Sequence, residues 1–289
     1  MRLTVEHSTR YTFSRPLTDV IQLLRLTPLS CLSQTVLDWR LDVQCDARLR
    51  EHRDGYGNVI HMLYVNQPVT ELLITAKGTV ITEDRAGVVQ GLPGDLPSEV
   101  FRRPTPLTQD DAAMQQLASD IRSRTSDSLT FLHDLNTELN RRLRFETDIT
   151  HSATTAVEAF AAGGGVCQDF SHIFIAVARS AGIPARYVSG HLYRRDGQDR
   201  QPASHAWIEA WVTDLGWVAF DPANGVCGDD AYVRVAAGLD YHETAPVVGT
   251  RRGGGKETVS VDVRVSQARG QSQSQRQGFG GGRNPAPLF

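Results

Sequence analysis

Cys167 in GGGVCQDFSH, His205 in ASHAW and Asp221 in FDP follow one another along the chain, 38 and then 16 residues apart. A thiol attacks a carbonyl as its thiolate, so it needs a base beside it. An imidazole serving as that base needs a carboxylate to fix its tautomer and steady its positive charge. The chain offers one candidate for each role: Cys167 as nucleophile, His205 as base and Asp221 as the orienting acid. The chemistry would be acyl transfer through a thioester that water or an amine then resolves. Such a set is recognised by geometry rather than by order, so the elements that carry the three residues decide whether they meet.

Gly163, Gly164 and Gly165 interrupt helix and allow a close backbone approach. Directly after them Phe170, Ile173, Phe174, Val177, Ala178 and Ala181 recur at the spacing of one helical face. Gly182 and Pro184 supply the stop. Cys167 therefore falls at a helix start, where unpaired N–H groups and the macrodipole favour an anion. Its own N–H is the expected oxyanion donor, with a second from 163–166 or 145–147. Asp169, in the first turn, reads as a helix-start residue rather than a catalytic acid.

SHAWIEAWVTD alternates, placing His205, Trp207, Glu209 and Trp211 on one strand face and Ala206, Ile208, Ala210 and Val212 on the other. GWVAFDP reads as the return strand of a hairpin turning at Leu215–Gly216. Asp221 then ends a strand, where it can reach a histidine on the neighbour and should be only partly buried. The bland reading of Asp221 is an Asp-Pro turn residue. His191, ending ARYVSGHL, is the second choice of base. His172 lies about 140° round the helix from Cys167 and points elsewhere. His133 and His151, upstream, have no partnering carboxylate. Cys31, Cys45 and Cys227 read as structural thiols, and no CxxC or HxxxH spacing suggests a metal. No metal, cofactor or disulfide is expected.

GVCQDFSHIFIAVARSAGIPARYVSG, ASHAWIEAW and GWVAFDPANG resemble the core of the bacterial transglutaminase-like superfamily, over roughly residues 100–250. The resemblance implies a papain-like thiol fold, with the family's Cys, His and Asp motifs at Cys167, His205 and Asp221. The family includes transglutaminases, peptidases, amidases and members without known activity. LDYHETAPVVGTRRGG also resembles the stretch after the core, except that Gly238–Leu239–Asp240–Tyr241 stands where the family usually has Gly-Arg-Asp-Tyr.

A chain of 289 residues with 40% hydrophobic content can bury real cores, as one large or two ordinary domains. Residues 1–88 read as strands separated by turn signals, suiting a small β-sandwich, and resemble the region preceding the core in bacterial relatives. The Pro-rich stretch 89–107 reads as a linker. Helical patterns at 108–122 and 128–143 open the core domain, 108–266, in which ETVSVDVRV is a late strand able to join either sheet. The polar, Gly-rich segment 267–289 reads as a disordered tail. The expected class is thus α+β: an N-terminal β-sandwich followed by a papain-like, transglutaminase-core cysteine domain.

A net charge of −3 against 30 basic side chains gives no nucleic-acid footprint. Neither a membrane span nor a signal peptide is legible, so a cytoplasmic setting with reduced thiols is expected. The expected partner is a peptide or protein amide. Hydrolysis, by a peptidase or amidase, is the leading expectation, because a cytosolic cross-linker would threaten its own proteome. A transglutaminase is the alternative, and a catalytically idle scaffold binding peptide in the same cleft is the rival from another class.

Overall fold

The computed structural model describes residues 1–94 and 96–268. Its first half is strand: β1 (Arg2–Thr27), β2 (Gln34–Val43), β3 (Arg48–Arg53), β4 (Val59–Val65), β5 (Val69–Thr82) and β6 (Val88–Val89). Then come α1 (Ala112–Arg122), α2 (Ser128–Arg142), β7 (Arg144–Phe145), α3 (Ala156–Ala162), β8 (Gly164–Gly165) and α4 (Cys167–Ser180). The remainder is β9 (Ala185–Leu192), β10 (Arg200–Gln201), β11 (His205–Val212), β12 (Gly216–Asp221), β13 (Val226–Cys227), β14 (Tyr232–Gly238), β15 (Val247–Gly253) and β16 (Glu257–Gln267). The architecture is mixed and strand-rich, with curled sheets.

Arg2–Thr27 runs as one strand through Pro16. Pro16 lacks the N–H that a ladder needs, and the pairing changes around it. Before it β1 pairs with β5 on one side and β16 on the other; beyond it β4 and β15 become the main partners. One strand thus serves two sets of neighbours and curls the 8-stranded sheet. ETVSVDVRV, left open between two sheets, joins this one, with Val5 opposite Val265 and Phe13 opposite Glu257. Gln267, placed in the tail by composition, pairs with Leu3; the rest of that tail, from 269 onward, lies outside the described residues.

The second sheet is antiparallel in the order β13–β12–β11–β9–β14, with β6 pairing β12. The expected hairpin is present, with Ile208 opposite Phe220 and Val212 opposite Gly216. α1 and α2 start where Asp111 and Asp127 accept the N–H of Met114 and Thr130, and α3 where Thr155 caps Glu158. α4 is buried on every side from Asp169 to Arg179 rather than along one face. It packs against α1, α2 and α3 on one side and β9 and β11 on the other. Ile175 and Ala176 extend its apolar surface beyond one face, and its buried Asp169, Ser171, His172 and Arg179 are hydrogen-bonded. Of the described helices, none is long and apolar enough to cross a membrane.

Candidate active site

The helix that carries Cys167 is fixed at its first turn by Asp169. The Asp169 carboxylate accepts the Val166 N–H at 2.8 Å and the Thr150 hydroxyl at 2.7 Å. Burial pushes this carboxyl up, which those two bonds oppose. Gly165, at φ 154°, sits where a Cβ would fall 2.4 Å from Asp169 Oδ2. The preceding Gly164–Gly165 pair runs parallel to Arg144–Phe145, and Glu146 donates its N–H to the Gly165 carbonyl at 2.9 Å. The N–H groups of Val166 and Glu146 are therefore committed, and neither is the second oxyanion donor sought in those segments. Cys167 is the first residue of α4, as its sequence setting predicts.

His205 opens β11 and Asp221 closes β12, and the hairpin register brings them together. Nε2 of His205 lies 2.6 Å from Oδ2 of Asp221. The same ring lines one cleft with Cys167. Burial alone would strip the imidazole of its proton, but the Asp221 carboxylate outweighs it and the sulfur adds to the effect. The ring is pushed up to about 10.

Asp221 is fully buried, contrary to the partial exposure expected of a strand-end carboxylate. Five donors explain why the burial is tolerable. Oδ1 accepts the N–H groups of Ala223 and Asn224 at 3.0 and 3.1 Å. Oδ2 accepts the Asn224 amide at 2.7 Å and the Tyr232 hydroxyl at 2.8 Å, in addition to His205. Burial works to raise this carboxyl, but His205, Asn224 and Tyr232 hold it below the usual carboxylate range. Sequence reading missed Asn224 and Tyr232. Asn224 had a signal, since an Asx residue just past an Asp-Pro turn commonly bonds back into it. Tyr232 comes from β14, which is not hydrogen-bonded to β12, and nothing local announces it.

The other histidines are occupied elsewhere. His191, the second choice of base, lies buried against His7, ring centroids 5.5 Å apart, and over Trp39. His172 accepts the Tyr241 N–H at 3.2 Å, and burial, helped by Arg179 and His242, pushes it down to about 3. His133 meets Phe220 edge-on and the Cys227 sulfur, and His151 Nδ1 accepts from Ala153. All four cysteines are free. Among the described residues, no three His, Cys, Asp or Glu side chains cluster to hold a metal.

Behind His205 the same strand is locked by a buried charge cluster. Glu209 lies between Arg186 of β9 and Arg234 of β14, with Nε contacts of 2.6 and 2.8 Å. The cluster ties three strands together, and the Glu209 side chain is fully buried. Leu239 is itself buried.

Cys167 and His205 thus line one cleft, with Asp221 bonded to the ring from the buried side. The family model described as the transglutaminase-like superfamily matches residues 115–222. That of the bacterial transglutaminase-like N-terminal region matches residues 3–81. An uncharacterized protein of Mycobacterium leprae is 31% identical over 279 residues, covering 92% of this chain and 99% of that one. The chain belongs to the transglutaminase-like superfamily. A stretch of 86 residues, 26% of the chain, is 33% identical to part of a protein-glutamine gamma-glutamyltransferase of Pseudomonas aeruginosa, covering 12% of that protein. A candidate cysteine protease from Cytophaga hutchinsonii shares the fold at a TM-score of 0.75 and 21% identity, covering 93% of this chain and 91% of that one.

Proposed function

We propose that the protein is a cysteine-dependent peptidase or amidase acting on peptide or protein amides in the cytoplasm. In this reading residues 1–88 form a β-sandwich that β15 and β16 return to extend, joined by 89–107 to a papain-like α+β core within 108–266. The observation that carries it is the His205–Asp221 contact of 2.6 Å on a ring that lines the same cleft as Cys167. Asp221 raises the ring's hold on a proton to about 10, so His205 takes the thiol proton as the sulfur attacks. The tetrahedral oxyanion forms against the Cys167 N–H at the helix start. His205 then passes its proton to the leaving amine, and the thioester remains on Cys167. A water that gives its proton to His205 hydrolyses that thioester and restores the pair.

A second reading, transamidation, is favoured by the stretch shared with the Pseudomonas aeruginosa enzyme; an amine would replace the water in the last step. A panel of peptide amides and γ-glutamyl amides, assayed with and without a fluorescent primary amine, tests both against Cys167→Ala. Release of ammonia or amine without incorporation supports hydrolysis, and incorporation supports transfer. No turnover, with Cys167 alkylated no faster than a free thiol, would leave only the idle scaffold.

A further inference from the structure

Cys167 and His205 open on a cleft of about 310 Å³ whose far wall belongs to the other sheet. That wall is made by His7, Thr9 and Tyr11 of β1 and Val259 and Val261 of β16. The two strands are direct neighbours, with Thr9 opposite Val261 and Tyr11 opposite Val259. Strand alternation decides what each face presents. Ser8, Arg10, Ser260 and Asp262 line a separate groove on the outer side, where Arg200 pairs with Asp262. The charges therefore go outward and the uncharged side chains go inward. Among the residues lining the cleft none is Asp, Glu, Lys or Arg. Burial pushes His7 down to about 4, so it too is neutral there at pH 7. Tyr187 and Tyr241 extend the same character toward Cys167.

We propose that β1 and β16 form a specificity subsite beside the nucleophile that takes an uncharged, apolar or aromatic substituent of the substrate. The inference rests on Cys167 being the nucleophile and deepens that reading: a charged substituent lying along β1 and β16 would lose its water and meet no counter-ion on that wall. An apolar one would bury surface against Tyr11, Val259 and Val261. The N-terminal sheet would then select substrate while the second sheet performs the chemistry.

The test compares alkylation of the full chain by N-benzyliodoacetamide and by iodoacetamide, both neutral, each rate divided by that of glutathione. The ratio cancels the reactivity of the thiol and reports the subsite. The wild type is expected to favour the benzyl reagent by roughly tenfold beyond glutathione, the worth of about 1.4 kcal/mol. Val259→Glu should bring the ratio close to that of glutathione without slowing iodoacetamide. Ser260→Glu, one residue away on the outer face, should leave the ratio unchanged. A wild-type ratio equal to that of glutathione would overturn the proposal on its own, whatever the variants do, as would equal effects of the two glutamates. Slow iodoacetamide labelling of the wild type is a different result: it sinks the nucleophile reading itself.

Discussion

Tyr232 donates its hydroxyl to Oδ2 of Asp221 at 2.8 Å, the same oxygen that lies 2.6 Å from the His205 ring. The tyrosine and the histidine thus share one acceptor, and the hydroxyl fixes where that oxygen points. Tyr232→Phe keeps the ring packing against Trp207, whose centroid lies 5.3 Å away. It is expected to lower turnover by about threefold to tenfold, one hydrogen bond's worth, with iodoacetamide labelling nearly unchanged. A loss of turnover matched by an equal loss of labelling would mean that the hydroxyl acts on the fold instead.

Asp221→Ala removes the acceptor of five donors in a site without solvent, so both turnover and stability should suffer. Turnover should fall roughly ten-thousand-fold, the scale set by loss of the orienting carboxylate. Stability should fall by about 3–5 kcal/mol, because the buried imidazolium loses its counter-charge. Asp221→Asn keeps the shape but not the charge, so it should recover only part of the stability and little of the turnover. Urea melts beside amide assays separate the two, and normal turnover in Asp221→Asn would remove the orienting role.

Much of this arrangement was legible because its signals are local. The Gly163–Gly165 run, the apolar period after Cys167 and the alternation through His205 each lie within a dozen residues, and each produced the element it implied. What escaped reading is what depends on packing between distant segments. Asp221 was expected at a half-wet strand end, but Asn224 and Tyr232 close over it. The strand at 257–267 carries a clean alternation, which fixes its faces but not its partner. Pairing with β1 makes it a wall of the cleft, and no pattern within either strand specifies that meeting.

The raised His205 ring gives turnover an alkaline limit. A group whose folded value lies above its free value of 6.5 contributes stability fully below that value. The contribution is lost as pH rises through the folded value, here about 10. Amide turnover should therefore fall near pH 10, as the acid that protonates the leaving amine is lost. Alkylation of Cys167, which needs no acid, should not fall with it. If turnover and alkylation decline together there, His205 is not the proton donor.

His7 and His191 carry the opposite sign. Burial pushes His7 down to about 4, and burial together with His7 pushes His191 down to about 3. The unfolded chain takes up protons as pH drops below about 6.5 while these buried rings do not. Stability is therefore expected to fall steadily from pH 6.5 toward 4. Both ring nitrogens of His191 lack a partner. His191→Leu should accordingly cost nothing at pH 7, or stabilise by about 1 kcal/mol, and should move the acid-unfolding midpoint to lower pH. An unchanged midpoint in circular dichroism melts would show that this pair does not govern acid unfolding.

The thiol's position depends on Gly165 in a way that one substitution can expose. Its φ of 154° is a conformation that side chains avoid, and an added Cβ would lie 2.4 Å from Asp169 Oδ2 and 2.7 Å from Asp169 Cβ. Neither side can give easily, since that oxygen is bonded to Val166 N and Thr150 Oγ1. Gly165→Ala should therefore shift the turn that leads into Cys167, lowering both the melting temperature and the labelling rate. Asp169→Ala alone should also destabilise, because it leaves the Val166 N–H without its acceptor. The two changes share one contact, so the double variant should cost clearly less than the sum of the singles. Strict additivity would mean that the glycine is required only for its backbone angle, with the carboxylate playing no part in seating the nucleophile.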